Sequence, residues 1–159
     1  MPRVFVSYSQ DSDDHKQRVL ELTQALRAAG VDAIVDQFVD NPSQGWPRWM
    51  LDELAAADFV LLVVSEGYKQ KAEGQVPRGA GRGVKWESHL TIQEIYDADA
   101  RNEKFIPVLL EGVSDSAIPQ ALRAWTYYRW PEGSEGLLRR LFAKPKVVPA
   151  PLGPAKKFD

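Results

Sequence analysis

Glu87 and Glu94 lie seven residues apart in the stretch V-K-W-E-S-H-L-T-I-Q-E-I-Y-D-A-D-A-R-N-E-K-F-I-P, residues 84–107, whose apolar spacing is helical before it runs into a strand. Seven residues are nearly two helical turns, so both carboxylates fall on one face, at or near the mouth of the sheet that helix packs on. A carboxylate held there, dry and close to a sugar, stabilises a developing oxocarbenium ion and binds ribose hydroxyls. Most helix glutamates are instead solvated surface residues, and both readings stand at this point.

The other residues with chemistry to offer are few. Ser7, Tyr8 and Ser9 end the first apolar run, Asp36 follows the second, Ser65 ends the third, and Trp46 opens a helix. Lys69, Lys71, Arg78, Arg82 and Lys85 place positive charge just ahead of and beside the carboxylates. One reaction suits so sparse a set. In a nicotinamide dinucleotide the leaving group is already a cationic pyridinium, so cleaving its glycosidic bond needs no general acid, whereas ordinary glycosides need two carboxylates. The basic segment, with Arg82 and Lys85, would hold the pyrophosphate, and Trp46 would stack on a ring. No cofactor is called for, since NAD would be the substrate. The bland alternative is that these are solvated charges and a tryptophan packed on its helix.

Composition excludes several other classes. With no cysteine there is no disulfide framework, thiolate nucleophile or zinc-thiolate site, and His15 and His89, read as surface residues, offer little to a metal. Twenty basic against twenty-two acidic residues give a net charge of -2, so no global field draws the chain to nucleic acid or an anionic membrane. The opening M-P-R-V-F-V-S-Y-S has no apolar leader region and no apolar run approaches spanning length, so a cytoplasmic domain is expected. Gly79, Gly81 and Gly83 lack the spacing of a dinucleotide fingerprint, no Gly-Lys-Ser/Thr loop exists, and no G-x-S-x-G elbow is present. A phospho-receiver domain needs an aspartate where Ser65 stands.

Positioning these residues requires an α/β fold. Residues 3–8 alternate as a first strand; residues 13–29 carry apolar positions at helical spacing, with Gly30 as the stop; residues 31–35 form a short second strand. Residues 36–45 read as a loop and residues 46–57 as a helix with Pro47 in its first turn. Residues 59–64 form an unbroken apolar run, the mark of a central strand buried on both faces. Residues 66–83, rich in glycine and lysine, read as a mobile basic loop. The central helix, a strand at 105–110, an edge strand at 126–130 and a helix from 134 to 142 complete the pattern. Strands alternating with helices imply a flavodoxin-like sheet, five parallel strands in the order 2-1-3-4-5 with helices on both faces. Residues 1–142 are expected to form that domain, and the Pro-rich residues 143–159 a tail or a truncated linker.

With these segments laid out, the sequence resembles the SEFIR family, a branch of the TIR superfamily. The resemblance rests on V-F-V-S-Y-S at 4–9, G-W-P-R-W-M at 45–50, and G-R-G-V-K-W-E at 81–87 continuing into Gln93-Glu94 and F-I-P-V-L at 105–109, and it covers residues 3–142. In style the chain resembles free-standing or antiphage-defence prokaryotic SEFIR domains. The resemblance implies a TIR-like fold and one of two functions: homotypic scaffolding in signalling and innate immunity, or NAD hydrolysis to nicotinamide and ADP-ribose by a self-assembled enzyme. It implies Glu94 as the catalytic carboxylate, at the family's distance before Ile106-Pro107. The family's Trp-x-x-x-Glu pattern is departed from, because Leu90 occupies the tryptophan position and Trp86 precedes Glu94 by eight residues. Glu87, directly after Trp86, is therefore the alternative. Ser7, Tyr8 and Ser9 would line the nucleotide crevice, and residues 36–46 would cover it and mediate SEFIR-SEFIR contacts. A C-terminal sensor domain would complete a full-length protein. A nucleoside-sugar transferase, with a similar fold and a single glutamate, is the third reading.

Overall fold

The computed structural model describes residues 1–73 and 102–159. Five parallel strands, β1 (Arg3–Tyr8), β2 (Asp32–Ile34), β3 (Phe59–Val64), β4 (Phe105–Leu110) and β5 (Tyr128–Trp130), form one sheet ordered β2-β1-β3-β4-β5, the order expected from the sequence. β3 is central, with Val4 paired to Phe59 on one side and Val60 to Phe105 on the other. Its uninterrupted apolar run follows from that position, since neither face nor edge meets water. Pro107 lies inside β4, but β5 pairs only from Val108 onward, so the proline precedes the ladder on that side.

Alternation along the strands separates two cores. Val4, Val6 and Tyr8 of β1, Leu61 and Val63 of β3, and Ile106 and Val108 of β4 point to the face covered by α1 (Asp13–Ala28), which contributes Val19, Leu22 and Leu26. Leu137 and Leu141 of the last helix, Ser134–Leu141, join the same layer. Phe5, Val60, Leu62, Val64, Phe105 and Leu109 point to the other face, where α2 (Trp46–Ala56) supplies Trp49 and Leu54 and α3 (Glu66–Ala72) supplies Tyr68. α1 ends as its sequence requires. Gly30 takes φ +93°, its N–H bonds Arg27 O, and Val31 N–H bonds Leu26 O, so the free carbonyls of the last turn are satisfied through a left-handed residue.

The sequence reading needs correction in one stretch. Where a basic loop was expected from residue 66, the chain forms α3. Ser65 caps it by accepting the N–H of Tyr68 at 3.1 Å, Glu66 opens the first turn, and Lys69 and Lys71 close the last, the charge order that complements a helix dipole. Burial of Tyr68 against the sheet fixes the helix in place. Smaller differences are a 3-10 turn at Asp36–Phe38 inside the expected loop and an edge strand that begins at Tyr128 rather than 126. Residues 144–159 form no helix or strand and are exposed. Among the described residues no helix is long and apolar enough to cross a membrane.

Candidate functional site

The sheet order reverses between β1 and β3, and open α/β sheets take ligands at the carboxyl ends of the strands flanking that point. β1 ends there in Ser7 and Tyr8, followed by Ser9, and β3 ends in Ser65. Ser7, Ser9 and Ser65 are all buried, so their hydroxyls need protein partners. Ser7 Oγ lies 3.4 Å from Tyr68 Oη. Ser65 Oγ donates to Asp11 Oδ2 at 2.6 Å while accepting the N–H of Tyr68, so this one hydroxyl couples the loop after β1 to the start of α3. Ser9 Oγ accepts a hydrogen bond from Lys71 Nζ at 2.7 Å.

A second group lies on the opposite face of β1. Tyr8 Oη donates to Asp36 Oδ1 at 2.8 Å, and Gln10 Nε2 donates to Asp36 Oδ2 at 3.3 Å. Burial first, and then the adjacent Asp36 charge and its hydrogen bond, push the Tyr8 hydroxyl far above its usual range, so it remains a proton donor at any ordinary pH. The expected cluster thus divides at the strand. Ser7, Ser9 and Ser65 face α3, whereas Tyr8 and Asp36 tie β1 to the turn after β2. Trp46 joins neither group by a described contact; its ring stands edge-on to Trp49, with centroids 5.6 Å apart. Glu87, Glu94, Arg82, Lys85 and His89 lie outside the described residues.

His15, expected at the surface, is buried, with its ring 6.3 Å from that of Tyr8 and its Nε2 without a hydrogen-bond partner among the described residues. It sits in the first turn of α1, where flanking Asp13, Asp14 and Lys16 disguise its position as polar surface. Burial is the main cause that lowers its pKa; Arg18 adds to this, and Asp11 and Asp14 oppose it. A lowered histidine pKa means the unfolded chain binds the proton more readily. Stability is therefore expected to fall as pH drops below about 6.5, the unfolded value, until the folded-state pKa is passed. Urea unfolding from pH 7.5 to 5 should show this loss in the parent and a flatter profile in His15→Phe; equal slopes would rule His15 out as its source.

Sequence reasoning counted Lys71 in the basic segment but missed its bond to Ser9, because helical placement was needed to bring the two together across 62 positions. The polarity of charge across residues 65–71, acidic first and basic last, was the available signal. Among the described residues no group of acidic or histidine side chains is arranged to hold a metal.

The architecture is that of an open, doubly wound α/β domain with buried, protein-bonded hydroxyls at its switch point. The SEFIR domain family model matches residues 2–141, and the chain belongs to that family of TIR-like signalling modules. A prokaryotic SEFIR domain of known crystal structure is 29% identical, with 96% of this chain and 100% of that one covered at a TM-score of 0.70. The interleukin-17 receptor B SEFIR domain is 16% identical, with 91% and 97% covered at 0.66. The TIR domain of the Toll-related receptor TRR-2 from Hydra magnipapillata is 17% identical, with 89% and 99% covered at 0.61. These last two share the fold. No curated protein matches the chain.

Proposed function

We propose that this chain is a self-associating SEFIR module whose assembled form hydrolyses NAD to nicotinamide and ADP-ribose, with Glu94 as the essential carboxylate and Glu87 as the alternative. The observation that carries this reading is the set of buried hydroxyls at the switch point, Ser7, Ser9 and Ser65, with the Lys71 ammonium among them. A fold gains little stability from buried polar side chains, which must be desolvated before they bond each other. Their concentration at the ligand-binding edge of the sheet is what a polar substrate requires. In the cell such a module would serve in the cytoplasm as a defence or immune effector, gated by whatever drives its self-association.

The test is nicotinamide release from NAD by concentrated or artificially clustered protein. The parent should consume NAD, and Glu94→Ala should lower the rate about a hundredfold or more, the scale on which removing a transition-state partner acts. Unchanged NAD loss in both Glu94→Gln and Glu87→Gln would remove the catalytic reading.

A second reading, a non-catalytic homotypic scaffold, is favoured by a different observation. The side chains at the switch point bond one another, and two large rings stand exposed, Trp46 (38%) at the start of α2 and Phe38 in the turn after β2. On this reading NAD is untouched at any concentration, self-association persists, and substitutions within residues 36–45 abolish it.

A further inference from the structure

The carboxyl end of β1 carries a positive charge that forms no ion pair with a described carboxylate. Lys71 Nζ, on the last turn of α3, is half-buried and donates to Ser9 Oγ, whose residue is fully buried. The nearby acids are engaged elsewhere. Asp11, two positions beyond Ser9, gives Oδ2 to Ser65 and packs on Gly67, and Glu73 Oε1 accepts the N–H of Gln120. Among the described residues Lys71 takes part in no ion pair. A hydroxyl partner positions an ammonium without cancelling its charge, and an ammonium has three donors, of which Ser9 takes one. The remaining two have no partner among the described residues, at the end of β1 where Ser9 lies.

We infer that Lys71, held in place by Ser9, is the anion subsite of the crevice and takes the diphosphate group of a dinucleotide. A compact ammonium binds phosphate oxygens as a point charge, with no need for the planar fork that an arginine brings. The inference rests on the proposed NAD reading, but it concerns binding and does not depend on turnover.

The test therefore uses ADP-ribose, which carries the diphosphate and cannot lose nicotinamide, titrated calorimetrically into the full chain in parallel with NAD-loss assays. Lys71→Met is expected to weaken ADP-ribose binding about tenfold or more, the scale of a lost charge-assisted hydrogen bond. Lys71→Arg should restore most of the affinity. Lys69→Met, which removes the same charge from the same helix but has no described bond to the loop after β1, should weaken it by less. Lys71→Gln keeps a polar donor without the charge and serves if the methionine variant fails to fold. Equal losses in the Lys69 and Lys71 variants would reduce the effect to bulk charge and overturn the subsite. So would a parent that binds no ADP-ribose, or a Lys71→Gln variant that binds it as tightly as the parent. NAD cleavage that is indifferent to Lys71 would remove the subsite and leave the enzyme standing. Lys71-dependent ADP-ribose binding without any NAD loss would do the reverse.

Discussion

Replacing Trp49 by alanine is expected to lower the unfolding free energy by about 3–5 kcal/mol, the scale for emptying a buried tryptophan site. The same truncation at Trp46 should cost about 1 kcal/mol or less, as for other half-exposed positions. The two residues are three positions apart on α2, and sequence alone gives them the same hydrophobic rank. Their surroundings differ. Trp49 is 6% exposed and packs edge-on against Phe5 of β1 at 5.7 Å, within the layer that includes Leu54, Val60 and Leu62. Trp46, at the start of the helix after the left-handed Gly45, keeps 38% of its surface in water. Removing the Trp49 indole opens a void between α2 and the sheet that backbone on both sides prevents from closing. Against a typical domain stability of about 5–15 kcal/mol, such a loss leaves a visibly unfolded fraction at modest temperature. Urea unfolding of the two variants side by side checks the assignment, and equal costs would mean that α2 packs on the sheet through a different face. Self-association of Trp46→Ala, read by light scattering on the same samples, then shows whether that exposed ring serves a partner without the complication of lost stability.

What could be read from the sequence was what one-dimensional periodicity encodes. The run at residues 59–64 announces a strand with no wet face, and β3 is that strand, with Val60 to Val64 all buried. Gly30 announces the end of α1 because few other residues take its positive φ without strain. Sheet order followed from alternation of strands and helices together with right-handed crossovers. The site was legible in outline only. Ser7, Ser9 and Ser65 were placed at the crevice because strand ends must lie there, but which hydroxyl meets which partner is decided by tertiary contacts between residues about sixty positions apart, such as Ser9 with Lys71. α3 was hidden for a related reason. Its lysines merge in composition with the glycine-rich run that follows, and the signal that separates them is the cap at Ser65 rather than any apolar period. His15 was hidden by its polar neighbours, since burial of one side chain in a first helical turn leaves no mark on the pattern around it.

Gly67→Ala is expected to destabilise the domain by about 1–2 kcal/mol in the parent and to stabilise it by up to about 1 kcal/mol when Asp11 is also alanine. In an isolated helix the change is favourable, because glycine loses more backbone entropy on ordering than alanine does. Here a Cβ at position 67 would lie 2.2 Å from Asp11 Oδ1 and 2.7 Å from its Cγ. The aspartate is short enough to swing aside, but only by giving up its 2.6 Å bond from Ser65 Oγ, and Ser65 is the residue that caps α3. Losing a hydrogen bond to a charged group costs about 1.5–3 kcal/mol, which outweighs the propensity gain and sets the sign. With Asp11 absent there is nothing left to displace, and the propensity term acts alone. A double-mutant cycle by urea unfolding measures the coupling directly; it should come to about 1.5–3 kcal/mol. The same shift in both backgrounds would show that the carboxylate does not sit over the first turn of α3. The cycle bears on function as well as on folding, because both ends of α3 hold the loop after β1, Ser65 through Asp11 and Lys71 through Ser9. Bonded to Ser65, the carboxylate forms no ion pair with the ammonium, and the glycine is what lets Asp11 settle there.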